Sequence, residues 1–90
     1  MQCRERKTQI LVEAYRLPPR GDFNLDGFHA WCDQVGFHNW ESGRDETLLI
    51  LYPNSTVEVP PGGWVIKEPD GYLYGFPHET FEKLYAMEPE

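Results

Sequence analysis

Few short sequences leave the backbone as little choice as Pro69-Asp70-Gly71 set between Trp64-Val65-Ile66-Lys67 and Tyr72-Leu73-Tyr74-Gly75-Phe76. Proline fixes φ, aspartate bonds its own backbone two residues on, and glycine takes a positive φ, so the tripeptide predicts a tight turn. The flanks are rich in β-branched and aromatic residues. Together they predict a hairpin with a three-residue loop and Gly71 in the left-handed position. In that hairpin Tyr72, Tyr74 and Phe76 share one face and meet Trp64 and Ile66 across the strands, a stabilising aromatic and β-branched combination. Pro60-Pro61-Gly62-Gly63 breaks the chain just before it.

Outward from the hairpin, the chain predicts an α+β domain. It has a mainly antiparallel sheet of about five strands and two short helices, one after the first strand and one C-terminal. Residues 1–6 are polar and predict a frayed end. Thr8–Tyr15 reads as the first strand, with Ile10, Val12 and Ala14 on one side and Leu11, Glu13 and Tyr15 on the other. Apolar residues on both sides suit a strand covered on both faces for part of its length. A helix follows, with Asn24 as its cap, Leu25, Phe28, Cys32 and Val35 as its apolar stripe, and Gly36 with Phe37 as its stop. Gly27 weakens that helix by roughly 1 kcal/mol. Trp31 either flanks the core or offers a stacking surface. Residues 38–46 read as a polar loop, Thr47–Tyr52 as a central strand, and Thr56–Val59 as its neighbour. Pro77–Met87 reads as the last helix, with Phe81, Leu84 and Tyr85 buried and Glu79 paired with Lys83.

Ninety residues allow a single domain, 1–90. Its net charge of −7 argues against sequence-blind binding to nucleic acid, which needs clustered cations. Arg4, Arg6, Lys7, Arg16 and Arg20 nevertheless crowd the first twenty residues; they form a solvated face, or else they line an anion pocket or meet an acidic partner. Cys3 and Cys32 are too few for a disulfide scaffold and lack metal-ligand spacing. No apolar run is long enough for a membrane span, and no signal segment is visible, which predicts a cytoplasmic protein without membrane partners.

The residues for catalysis are missing. His29, His38 and His78 are scattered, no nucleophile motif or phosphate-cradling loop is present, and Cys32 lies on the apolar stripe, away from the electropositive setting a reactive thiol needs. The expectation is a non-enzyme without cofactor or metal. Binding is better supplied. Trp64, Tyr72 and Tyr74 are candidates for stacking on a flat ligand, with Arg16, Arg20 and Lys67 for phosphate. Trp40, Arg44 and His78 are secondary candidates. The same rings also serve as filler in a core this small.

The segments Arg6–Pro18, RKTQILVEAYRLP, and Pro61–Ala86, PGGWVIKEPDGYLYGFPHETFEKLYA, resemble a group of short phage and prophage proteins. Members open with a basic-then-VEA strand. They close with a P-G-D-W/Y-I-I-K-G hairpin, an aromatic strand and a K-P-D-x-F-E-x-x-Y-E helix. The chain departs from them at Gly63, at Leu73–Phe76 and at His78. The resemblance covers about half the chain and implies phage origin; the family has no settled activity. By analogy it implies a counter-defence protein that sequesters a small nucleotide-like immune signal in the host cytoplasm, with a homo-oligomer as the form in which pockets between subunits could arise. The alternative is a module that blocks a host defence protein through an acidic, aromatic surface.

Overall fold

The computed structural model describes residues 2–22 and 24–87. Two antiparallel sheets and two helices make up an α+β fold. The first sheet runs in the order β7-β6-β2-β1-β8, with β1 Gln2–Glu5, β2 Leu11–Arg16, β6 Trp64–Lys67, β7 Leu73–Phe76 and β8 Tyr85–Met87. The second runs β3-β4-β5, with β3 Trp40–Ser42, β4 Leu48–Tyr52 and β5 Ser55–Val59. Helix α1 spans Asp26–Val35 and α2 spans His78–Leu84.

The hairpin forms as its turn chemistry dictates. Trp64 faces Phe76 and Ile66 faces Tyr74 in register. The Tyr72 carbonyl accepts from Glu68 N–H at 3.1 Å, Gly71 sits at φ 88°, and Asp70 Oδ1 accepts the Tyr72 N–H at 2.9 Å. Helix α1 buries Phe28, Trp31 and Cys32, with Leu25 and Val35 half-buried beside them. Leu25 takes the cap position, although Asn24 Oδ1 still accepts the Asp26 N–H at 2.9 Å. Gly36 adopts the left-handed conformation and ends the helix.

The first sheet is covered on both faces, as the two-sided pattern of β2 requires. Cys3, Val12, Ala14, Trp64 and Ile66 pack with Phe81 of α2 and with Tyr85. Leu17, Val65 and Leu73 pack against Phe28, Trp31 and Cys32 of α1 and against Leu48, Ile50 and Val59 of the second sheet. Gly75 permits the two sheets to meet: a Cβ there would lie 2.1 Å from Val59 Cγ2.

Several expectations are corrected. Residues 2–5 are not frayed: β1 lies between β2 and β8, and Cys3 is fully buried. Pairing on both edges overrides the polar character of the segment. Residues 8–10 precede β2 instead of belonging to it. The 38–46 segment is not all loop; Trp40–Ser42 pairs with Leu48–Ile50, and a 3-10 turn covers Arg44–Glu46. The last helix stops at Leu84, which is exposed, and Tyr85–Met87 turns into a strand that pairs with β1. The i, i+4 pair observed on α2 is His78–Glu82, at 2.9 Å. The five expected strands are therefore divided between two sheets, β2, β6 and β7 in the first and β4 and β5 in the second, and β1, β3 and β8 are additional.

Candidate functional site: a tyrosine groove with an acidic shoulder

Three tyrosines from two turns converge on an open groove of about 440 Å³. Tyr52 ends β4 just before the Pro53-Asn54 turn, and Tyr72 follows the Pro69-Asp70-Gly71 turn. Tyr74 lies two residues on, in β7. Val57, Ser55, Gly75 and Phe76 complete the lining with Pro53. The Tyr52 ring lies 6.4 Å from Tyr72 and 6.1 Å from Tyr74, at tilts of 54° and 38°. Such spacing gives edge-tilted rings, not a closed stack, so ring faces remain open to a ligand.

Two of the three phenols are already engaged. Tyr52 Oη donates to the Leu73 carbonyl. Tyr74 Oη donates to Asp70 Oδ2 at 2.7 Å. That bond, with lesser help from desolvation and nearby carboxylates, pushes the Tyr74 phenol up to about 12. Burial, then the Asp70 charge, raises Tyr52 as well. Both groups are locked as neutral donors, and their rings are fixed in place. Tyr72 is exposed.

Beside the groove, and sharing Tyr74 and Phe76 with it, lies a depression of about 360 Å³ lined by Glu5, Glu68, Pro69 and Asp70. Glu68 accepts a 2.5 Å hydrogen bond from Tyr85 Oη. Burial and that bond together drive the Tyr85 phenol well above its ordinary range. An apolar aromatic groove thus runs into a carboxylate-rich shoulder. The residues lining the two include neither Lys nor Arg.

The expected site residues are distributed otherwise. Tyr72 and Tyr74 meet in the groove. Trp64 is buried, stacks on Phe81 at 4.0 Å and 8°, and donates from Nε1 to His78 Nδ1 at 3.0 Å. Arg16 lies with its guanidinium 5.7 Å from the Trp64 ring and donates from Nε to the Gly62 carbonyl at 3.2 Å. Arg16, Trp64 and His78 therefore make one structural cluster. Arg20 anchors the 3-10 turn, donating to the Asp45 carbonyl at 3.1 Å with Glu46 3.8 Å away. Arg44 lines a separate recess with Asp45, Thr47, Leu49 and Glu58. Lys67 stands in register with Glu13 and Leu73. Trp40 is half-buried and meets Phe28 edge-on at 5.0 Å. The groove residues that sequence reasoning missed are Tyr52, Pro53, Ser55 and Val57, with Glu5, Glu68 and Asp70 on the shoulder. A tyrosine flanking each of two proline-containing turns is the signal that could have found them.

Burial raises Cys3 to about 11 and Cys32 to about 12, so both thiols are held protonated. His29 and His38 flank the exposed Asp33 at 3.9 and 3.6 Å. Among the described residues, no three His, Cys, Asp or Glu side chains are grouped to hold a metal ion. Nor is any helix of the described residues long and apolar enough to cross a membrane.

No family model matches the chain, and no solved structure matches it. An alignment 52 positions long, covering 54% of the chain, is 38% identical to Laccase-9 of Arabidopsis thaliana. The chain spans 9% of that protein's length.

Proposed function

We propose that the chain is a non-catalytic protein-binding module. It seats an apolar or aromatic side chain of a basic partner segment in the tyrosine groove and reads a neighbouring Lys or Arg with Glu5, Glu68 and Asp70. The observation carrying this reading is the shared wall: Tyr74 and Phe76 line both the apolar groove and the acidic depression. Rigid aromatic rings held by their own hydrogen bonds give contact area at low entropic cost. Adjacent carboxylates add charge selection and speed encounter. In the phage setting implied by the resemblance, such a module would act by blocking a host protein.

Support for a nucleotide ligand is weaker. Phosphate beside these rings would face Asp70 and Glu68, and Arg16 and Arg20 are engaged elsewhere. The test is selection from a randomised twelve-residue peptide library, with calorimetry against cyclic nucleotides and ADP-ribose alongside. Enriched peptides should pair an aromatic, proline or large aliphatic residue with Lys or Arg, and should lose binding to Tyr72→Ala. Peptides that bind Tyr72→Ala equally well, or micromolar binding of a nucleotide, would sink the reading.

A further inference from the structure

The groove is one half of a larger surface. Antiparallel pairing brings the end of β1, the start of β2, the end of β6 and the starts of β7 and β8 to one end of the first sheet. Helix α2 finishes there too, with the Leu84 carbonyl accepting from Arg6 N–H at 2.9 Å. Beyond Glu5, which lines the acidic depression, lies a cleft of about 240 Å³ formed by Glu5, Arg6, Lys7, Lys83, Leu84 and Tyr85. Arg6 is fixed by Nε donating to the Glu82 carbonyl at 3.0 Å. Across this end the surface passes from tyrosines to carboxylates to cations.

Among the described residues the large exposed apolar side chains are Tyr72 at 46%, Ile10 at 44%, Leu11 at 40%, Leu84 at 42% and Met87 at 46%. Tyr72 stands on the acidic half. Leu84 lines the basic cleft, and Ile10 is tied to Glu5 at its rim by the Glu5 N–H donating to the Ile10 carbonyl at 2.9 Å. Leu11, next to the inward-facing Val12, belongs to the other face of the sheet, and Met87, paired with Cys3, to the far end of β8. Lysines on a sheet edge commonly deter strand pairing. Lys7 and Lys83, however, stand on a turn and a helix and flank a cleft, which leaves them placed to receive a carboxylate.

We infer that this end of the sheet is the interface of a two-fold homodimer, in which the acidic tyrosine half of each copy docks on the basic aliphatic half of the other. The occupant is a second copy because the chain itself carries the partner chemistry assigned to the groove: Leu84 flanked by Arg6, Lys7 and Lys83. The inference rests on that reading of the groove. A surface with opposite halves is self-complementary under a two-fold axis, the commonest closed symmetry. The overall charge of −7 repels two copies at long range, but at physiological ionic strength screening acts over about 8 Å, so local pairing decides.

Sedimentation tests this with two charge variants. Lys7→Glu with Lys83→Glu makes both halves acidic. Tyr72→Lys with Asp70→Asn offsets the charge of the acidic half and leaves the basic half unchanged, while Asn keeps the turn's side-chain acceptor. At about 100 μM, where a micromolar Kd leaves most chains paired, the wild type should be a dimer. Each variant should be a folded monomer by circular dichroism and sedimentation, and a one-to-one mixture should return a dimer. A monomeric wild type, a dimer that survives either variant, or a mixture that stays monomeric or grows beyond two would overturn the inference. Peptide binding lost in Tyr72→Ala, found together with a monomeric wild type, would end the dimer while leaving the groove's role intact.

Discussion

Replacing Gly75 with alanine should destabilise the protein more than any other single-methyl addition to β7. The new Cβ would sit 2.1 Å from Val59 Cγ2, 3.3 Å from Ile50 Cδ1 and 3.4 Å from Val59 Cβ. Val59 and Ile50 are both fully buried. Val59 is also branched at Cβ, so it has few rotamers into which to retreat. The clash must then be relieved by moving β5 away from β7, which loosens the core between the sheets. Overpacking of this kind costs roughly 1–3 kcal/mol, and a contact this short against a stiff, fully buried side chain places it near the top, about 2–3 kcal/mol. For a domain of this size that lowers the melting temperature by about 10–20 °C. Urea titration followed by tryptophan fluorescence reads the loss as a lower midpoint. The double variant Gly75→Ala/Val59→Ala isolates the cause. Trimming Val59 removes the atoms in conflict, so the double variant should be less destabilised than the sum of its parts by at least about 1 kcal/mol. A Gly75→Ala protein within about 0.5 kcal/mol of wild type, or additivity to the same margin, would refute the packing argument.

Further outcomes follow from individual groups. His78→Ala removes the acceptor for the buried Trp64 Nε1–H and should cost about 1–3 kcal/mol by thermal melt; a neutral substitution would mean that the indole finds another acceptor. Tyr74 is raised to about 12 chiefly by its bond to Asp70, from an ordinary value of 10.0. A raised phenol contributes stability that is complete below pH 10 and is lost as pH climbs towards 12. Alkaline absorbance titration should therefore show a tyrosine ionising earlier in Asp70→Asn than in wild type, and an unchanged curve would contradict the assigned cause. Cys3 and Cys32, pushed up to about 11 and 12 by burial, should resist alkylation at pH 8 in the native state and react in urea. Rapid native labelling of either would show that its pocket opens. Deleting residues 1–6 should abolish the cooperative unfolding transition, because β1 joins β2 to β8 and carries a core cysteine.

The hairpin and α1 were legible because their signals are local. Pro69-Asp70-Gly71 sets its own φ angles, and Leu25, Phe28, Cys32 and Val35 repeat at helical spacing whatever lies elsewhere. The misreadings share the opposite property. Gln2–Glu5 is polar in sequence and becomes a strand only through partners roughly ten and eighty positions away. Phe81, Leu84 and Tyr85 fit a continuing helix, yet the open edge of β1 captures Tyr85–Met87, and Leu84 then points to solvent. Gly27 argues against a helix by propensity, but a Cβ there would lie 2.4 Å from Tyr15 Oη, so the glycine leaves room for that phenol against the helix. At the site, the sequence singled out Tyr72 and Tyr74, and the fold brings the two together in one groove. The sequence could not show that Trp64 is satisfied internally by Phe81 and His78, or that the charge nearest the tyrosines is carboxylate.

Gly75 also ties the fold to the groove. It lines the groove and, at the same time, admits Val59 against β7. Any side chain there acts twice, by wedging β5 from β7 and by altering the distance between Tyr52 on β4 and Tyr74 on β7. Tyr52 spans that junction through its bond to the Leu73 carbonyl, so the aromatic walls cannot separate without breaking it. Tyr72, exposed and outside the β7 ladder, carries none of this constraint. The two positions should therefore part company: Tyr72→Ala loses peptide binding at nearly wild-type stability, within about 0.5 kcal/mol, whereas Gly75→Ala loses both. Binding retained in a destabilised Gly75→Ala protein would show that the groove does not depend on the sheet junction, and the site would then belong to the hairpin alone.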